Sequence, residues 1–150
     1  MKNVLVFTLA GEAPARERWA VELRWVREIV PLGPLTPVPT APPCIAGVVN
    51  VEGAIVPVLW TPLLIAAVKG PRQARPGESL VIIEVDATRV ALAVDRIDAV
   101  TTLAFSDRGL IDSRGEVVPL VDPPTLIADA RAMVGQAAAR LRELLSGGSA

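Results

Sequence analysis

Six aspartates are the residues best suited to chemistry, since two carboxyl groups held side by side can serve as a general acid and a general base. They are Asp86, Asp95, Asp98, Asp107, Asp112 and Asp122. Asp86, Asp107 and Asp112 coincide with turn signals, where aspartate commonly bonds to its own backbone. The chain contains no histidine, which excludes catalytic triads, imidazole bases and the common zinc sites. It also lacks a glycine-rich phosphate loop. We therefore predict no enzyme activity, no catalytic residue, no metal site and no cofactor.

The single cysteine, Cys44, has two readings. It is either a reactive thiol or a small buried apolar side chain beside Pro43 and Ile45. The second reading is favoured because the sequence offers no histidine to activate the thiol. One cysteine also forms no internal disulfide, which suits a reducing compartment.

Composition points to one globular domain of 150 residues with a large apolar core. Hydrophobic residues make up 51% of the chain and charged residues 21%, and the net charge is −1. No overall positive charge attracts nucleic acid or anionic lipid. The apolar runs are too short to cross a bilayer. We expect a cytoplasmic protein without nucleic-acid partners or direct membrane insertion, whose function is contact with other proteins.

A weak internal repeat organises the chain. The run GVVNVEGAIVPV at 47–58 returns 62 residues later as SRGEVVPL at 113–120, with Gly53 matching Gly115 and Pro57 matching Pro119. The glycines are predicted turn residues, and the prolines are predicted to end strands because they donate no backbone hydrogen bond. A second match, at an offset of 71, aligns Leu23, Val26 and Ile29 with Val94, Ile97 and Val100.

Apolar runs and alternating patterns predict a mostly β fold. Strands are expected at 3–9, 19–23, 47–50, 54–59, 79–86 and 89–94, with a stiff extended segment at 31–43, which holds six prolines. A short helix is predicted at 62–68 and a polar linker at 73–78.

A C-terminal helix is predicted over about 129–146, because Ala130, Val134, Ala137, Leu141 and Leu145 form one apolar stripe. The stripe either covers the chain's own β structure or binds a partner. The sequence alone leaves both open.

Several segments resemble the CheW family, the adaptors that couple chemoreceptors to the histidine kinase CheA. They are VREIV at 26–30, PVP at 37–39, GVVNVEGAIVPV at 47–58, AVDRIDAV at 93–100, FTL at 7–9 and VPLVD at 118–122. The resemblance covers about residues 3–128. It implies an all-β fold of two small, SH3-like, five-stranded barrels packed side by side with a groove between them, plus the C-terminal helix. We assign the first barrel to about 3–68, a linker to 69–78 and the second barrel to 79–128.

The resemblance also implies partners: the cytoplasmic tip of a chemoreceptor, and either the regulatory domain of a CheA-type kinase or another CheW-like protein. The candidate receptor-binding residues are Val26, Glu28, Glu52, Ala91, Val94 and Ile97. The candidate kinase-binding residues are Val49, Val51, Glu52 and Ile55. The alternative function is a small-ligand-binding or enzymatic domain on a double-barrel scaffold.

Three features depart from the family pattern. Glu52 stands where an arginine is usual, so an ion pair with Glu28 becomes a like-charge pair. Trp60 occupies the place of the usual aspartate, and the segment 101–108 is shorter than is typical. We expect the short segment to remove or remodel a strand of the second barrel, and we expect weakened coupling to the kinase.

Overall fold

The computed structural model describes residues 1–10, 16–61, 64 and 79–147. Within them, ten strands form two five-stranded sheets and one long helix follows the last strand. The elements are β1 (Lys2–Ala10), β2 (Arg16–Glu22), a 3₁₀ turn (Leu23–Trp25), β3 (Val26–Pro31), β4 (Ile45–Val51), β5 (Ala54–Leu59), β6 (Ser79–Val85), β7 (Thr88–Val94), β8 (Arg96–Ser106), β9 (Gly109–Ile111), β10 (Val117–Val118) and α1 (Pro123–Gly147). The predicted helix at 62–68, except Leu64, and the predicted linker at 73–78 lie outside the described residues.

Each sheet combines strands from both halves of the sequence. The first has the order β10-β9-β8-β1-β2 and the second the order β3-β6-β7-β5-β4. The sheets therefore do not follow the predicted division into 3–68 and 79–128. The N-terminal hairpin pairs through β1 with β8, while β5 pairs in parallel with β7, so the chain crosses between the sheets.

Short bridges join the edges of each sheet and close it into a small barrel. In the first sheet, the Ala20 N–H donates to the Pro119 carbonyl at 2.9 Å and the Val121 N–H donates to the Ala20 carbonyl at 2.7 Å. In the second, Thr36 and Val48 exchange backbone hydrogen bonds of 3.0 and 2.9 Å. The predicted all-β fold of two small barrels with a C-terminal helix is confirmed.

Alternation along the central strands fills three cores. Between the sheets lies what we call the shared core, which includes Leu5, Phe7, Leu9, Val21, Leu59, Val81, Ile83, Val90, Leu92, Val94, Val121, Leu126, Ile127 and Ala130. The first-sheet core contains Val4, Val6, Ala20, Leu103, Leu110 and Val118. The second-sheet core contains Val51, Val56, Val58, Trp60, Leu80, Ile82, Ala91 and Ala93. Successive residues of β1, β6 and β7 point into different cores, so the central residues of these strands are almost all apolar.

The sequence repeat corresponds to a glycine in the connection between two successive strands of each sheet. Gly53 lies between β4 and β5 with φ +85°, and Gly115 lies between β9 and β10 with φ +79°. Both angles fall in the left-handed region that glycine enters without steric cost. Pro119 follows β10 as predicted, but Pro57 does not end its strand. It pairs with Val48 inside β5, and the pairing of β5 with β7 begins one residue later.

The short 101–108 segment removes no strand. It supplies the second half of the eleven-residue strand β8 and the turn into β9. β8 pairs with β1 through Leu103 and with β9 from Ala104 onward, so one long strand joins two neighbours. The expected loss of a strand is therefore wrong.

The C-terminal helix begins six residues earlier than predicted. Asp122 precedes it, its carboxylate accepts a hydrogen bond from the Thr125 hydroxyl, and its carbonyl accepts the Leu126 N–H at 3.0 Å. An acceptor side chain before the helix and a proline in its first turn are ordinary start signals. The first turns then bury Leu126, Ile127 and Ala130 in the shared core.

We predict that Gly47→Ala lowers the free energy of unfolding by about 1–3 kcal/mol. A Cβ atom at Gly47 would lie 2.8 Å from the Thr36 carbonyl oxygen, in the bridge that closes the second barrel. Chemical denaturation measures the change. Gly33→Ala is the matched control, since no atom lies within 4 Å of its added Cβ, and its effect should stay within about 0.5 kcal/mol. Equal effects of the two substitutions would contradict the role of the close approach.

Candidate functional site

Two of the predicted receptor-binding residues are core residues. Ala91 and Val94 are both fully buried on β7, Ala91 in the second-sheet core and Val94 in the shared core. The sequence prediction failed here because alternation does not reveal that both faces of β7 are covered. Neither side chain is available to a partner.

Val26 and Ile97 each lie on the side of their own sheet that carries the shared core. Val26 is paired with Ile83 across β3 and β6, and Ile97 with Phe7 across β8 and β1. Directly paired residues share a face, and both side chains pack, half-buried, against the shared core. They lie where that core meets the surface.

Ile29 and Val100 lie on the same faces of their sheets as Val26 and Ile97 but were not predicted as binding residues. Ile29 is paired with Val81 and Val100 with Leu5, so each faces the shared-core side of its sheet. They nevertheless remain 41% and 59% exposed. The repeat at an offset of 71, which relates Ile29 to Val100 and Val26 to Ile97, was the signal that could have identified them. We call Val26, Ile29, Ile97 and Val100 the rim residues.

Glu28 does not share the face of the rim residues. A register shift separates it from Val26, and its cross-strand partner is Ile82, which belongs to the second-sheet core. Glu52 lies in the turn between β4 and β5, and none of the described strand pairs places it opposite Glu28. The strand pairing therefore does not create the predicted like-charge pair.

The β4–β5 hairpin presents a second exposed surface. Glu52 and Gly53 form its turn with φ values of +51° and +85°, and the Gly53 N–H donates to Asn50 Oδ1 at 2.9 Å. Glu52 is exposed and Ile55 is 67% exposed. The other predicted kinase-binding residues, Val49 and Val51, pack against the second-sheet core. The accessible part of this predicted site is therefore Glu52 with Ile55.

Arg24 and Arg27, near the start of β3, form ion pairs with carboxylates other than Glu52. Arg24 Nε lies 2.6 Å from Glu22 Oε2, and its guanidinium stacks 4.3 Å from the centre of the Trp25 ring. Arg27 Nη1 lies 2.6 Å from Glu84 Oε2. Partial burial acts to raise the pKa of Glu22, but Arg24 and Lys2 outweigh it and hold that pKa below its ordinary value. These contacts leave neither arginine as a partner of Glu52.

Asp112 and Asp98 organise a turn of the backbone and the surface of the first sheet. Asp112 Oδ1 accepts the N–H groups of Glu116 and Arg114, both at 2.9 Å. These two hydrogen bonds, together with the guanidinium of Arg18, hold the pKa of Asp112 below its ordinary value. Asp98 accepts hydrogen bonds from Thr8 Oγ1 at 2.7 Å and Arg96 Nε at 2.8 Å. Within the described part of the chain, no cluster of histidine, cysteine, aspartate or glutamate is arranged to hold a metal ion.

Cys44 and Trp60 are packing residues. Cys44 is 1% exposed, and burial raises the pKa of its thiol. Trp60 fills part of the second-sheet core, and its backbone N–H donates to the Cys44 carbonyl at 2.7 Å. The departure from the family pattern at Trp60 therefore places an aromatic ring in the interior. Among the described helices, none is long and apolar enough to cross a membrane.

The model of the CheW-like domain family matches residues 3–107, which include the rim residues and the β4–β5 hairpin. The chain belongs to the CheW-like domain family. A chemotaxis protein CheW of Rhizobium meliloti (strain 1021) is 33% identical over 93 residues. The alignment covers 61% of this chain and 57% of that protein, so the chain spans just over half the length of this relative.

A solved structure supports the fold assignment. The crystal structure of scaffolding protein TtCheW from Thermoanaerobacter tengcongensis superposes with a TM-score of 0.54 at 24% sequence identity. The superposition covers 67% of this chain and 65% of that chain. The two proteins share a fold.

Replacing Glu52 with asparagine should stabilise the protein by about 0.5–1 kcal/mol. Glu52 occupies a left-handed conformation that asparagine adopts more readily, and Asn-Gly is the preferred sequence of such a hairpin turn. Thermal and denaturant unfolding provide the measurement. Glu116→Asn is the control, because Glu116 is exposed in the equivalent turn and has no positive φ. A destabilised Glu52→Asn variant would contradict the strain that we assign to Glu52.

Proposed function

We propose that this protein is a non-catalytic adaptor of a bacterial chemosensory array, and that it binds the cytoplasmic tip of a chemoreceptor. Membership in the CheW-like domain family is the observation that carries the proposal. The names of the similar proteins, a chemotaxis protein and a scaffolding protein, are consistent with it. An adaptor of this kind would work in the cytoplasm.

The rim residues are the proposed receptor contact. Receptor tips are helical hairpins, and a helix binds a protein by placing apolar side chains into an apolar groove. Ile29 and Val100 supply exposed apolar surface from the two sheets, while Val26 and Ile97 support it from the shared core. A helix lying along the boundary of the sheets would bury all four.

Ile29→Ser and Val100→Ser should each weaken binding of a soluble receptor-tip fragment by at least about fivefold, the effect of losing roughly 1 kcal/mol at an interface. Isothermal titration calorimetry measures the affinity. Phe105→Ser is the control, since Phe105 is 63% exposed on the same strand and is paired with Leu110 of the first-sheet core. Its affinity should stay within about twofold of the wild type.

Unchanged affinity in both rim variants would exclude the rim as the contact. Absence of any binding between the wild type and receptor-tip fragments would contradict the adaptor function itself. Circular dichroism of each variant separates a lost contact from a lost fold.

We further propose that the β4–β5 hairpin is the kinase-facing surface and that Glu52 weakens this contact. Ile55 supplies an exposed apolar side chain beside the exposed carboxylate of Glu52. Reversing a charge at the rim of an interface turns an attractive approach into a repulsive one. Since β8 and β9 are both present, we attribute the weak coupling to Glu52 alone.

Glu52→Arg should strengthen binding of a CheA-type regulatory domain by about tenfold, and the gain should shrink at high salt. Biolayer interferometry at two ionic strengths measures both effects. Glu116→Arg makes the same charge change in the repeat-related turn and should leave the affinity unchanged. Micromolar or tighter binding by the wild type, or no gain from Glu52→Arg, would contradict the proposal.

A further inference from the structure

The apolar face of α1 continues beyond the part that covers the shared core. Ala130 is 6% exposed, but the same stripe then runs through Val134, Leu141 and Leu145, which are 44%, 38% and 77% exposed. The helical rise of 1.5 Å per residue makes the segment 131–145 about 22 Å long. The stripe is therefore a partly uncovered apolar surface of about four helical turns.

The loop at 40–43 turns one side of this stripe into a groove. Thr40, Ala41, Pro42 and Pro43 form one wall, and the other wall is formed by Met133, Gln136, Ala137, Arg140, Leu141 and Leu144. The groove has a volume of about 430 Å³. Most of its lining side chains are apolar, and Arg140 is its charged residue.

Positive charge lies on both sides of the stripe. With 3.6 residues per turn, Arg131 and Arg142 fall along one side and Arg140 along the other. Glu143 falls on the face opposite to the stripe, whereas Asp129 falls on the side of Arg140, about three turns nearer the start of the helix. The apolar stripe is thus bordered by guanidinium groups.

Arg131 connects the start of the stripe to the second sheet. Arg131 Nη2 donates to Thr88 Oγ1 at 2.8 Å, which places it at the start of β7. Arg89 Nε and Arg27 Nη1 lie 3.6 and 2.6 Å from the same oxygen of Glu84. Because Arg89 and Thr88 are successive residues of β7, these ion pairs lie on the other face of the sheet and outside the border of the stripe.

We propose that the distal half of α1 and the 40–43 loop form a docking groove for an acidic amphipathic helix of another protein. Apolar side chains of that helix would fill the groove, and its carboxylates would meet Arg140 on one side and Arg131 and Arg142 on the other. Arginine favours such partners because its planar guanidinium can donate two parallel hydrogen bonds to a carboxylate. This surface shares no residue with the rim or with the β4–β5 hairpin.

Charge and shape favour this occupant over two others. A second copy of α1 would bring three more arginines against Arg131, Arg140 and Arg142, and like charges oppose that contact. A membrane would meet a groove with a wall along one side, whereas interfacial helices present an open apolar face, commonly with aromatic residues. Residues 131–147 contain no aromatic side chain.

The test uses the full chain and two synthetic helical peptides of about three heptads, with leucine at the core positions and either glutamate or lysine at the flanking positions. The glutamate peptide should bind and shift the amide NMR signals of 40–43 and 131–146. The double variant Arg140→Glu/Arg142→Glu should lower its affinity at least about tenfold. Arg108→Glu/Arg114→Glu makes the same charge change on exposed turns of the first sheet and should bind like the wild type.

Leu141→Ser/Leu145→Ser provides a second measurement that does not depend on charge, and it should also weaken binding at least about tenfold. Thermal unfolding checks that each variant keeps its fold.

No binding of the glutamate peptide, or equal binding of the lysine peptide, would overturn the proposal. Binding to phosphatidylcholine–phosphatidylglycerol vesicles in preference to the peptide would assign the surface to a membrane. Dimer formation that Arg140→Glu/Arg142→Glu strengthens or leaves unchanged would assign it to a second copy.

Discussion

The shared core is the interaction on which the other features of this structure depend. It receives Leu5, Phe7 and Leu9 from β1, and Val90, Leu92 and Val94 from β7, while the residues between them fill the cores of the two barrels. Fully burying one such side chain contributes about 1.5–3 kcal/mol. A shift of one residue in the register of β1 or β7 would exchange the two sets of side chains. Burial on both faces therefore fixes the register of both sheets together.

The candidate surfaces follow from where this core ends. Val26 and Ile97 cover its margin, and Ile29 and Val100 extend from the same faces into solvent. The helix follows the same rule, since Ala130 closes the core and Val134 begins the exposed stripe. The hairpin turn at Glu52 is different, because it is built from local backbone geometry and a hydrogen bond to Asn50. Substitutions in this turn can therefore change the exposed surface without changing the packing between the sheets.

The sequence predicted the elements better than their partners. The run Leu80–Ile83 was correctly predicted to be a buried strand, and the repeat correctly related the turns at Gly53 and Gly115. Period-two patterns do not specify which strands pair, so the pairing of β1 with β8 and of β5 with β7 was not foreseen. The same limit explains Ala91 and Val94, which were assigned to a groove although both faces of their strand are buried. Asp122 and the two prolines after it are start signals that could have predicted the beginning of α1 at Pro123. The prediction relied on the apolar stripe, which begins only at Ala130.

Hydrogen exchange of the backbone amides under native conditions, measured for the wild type and for Phe7→Ala, tests the dependence of both barrels on the shared core. Phe7 is fully buried on β1, and its replacement should lower stability by about 3–5 kcal/mol. If the sheets form one cooperative unit, the slowest amides of β1 and β8 and those of β6 and β7 will lose protection by the same free energy. Loss of protection in the first sheet alone, with β6 and β7 unchanged, would show two independent barrels and contradict this account.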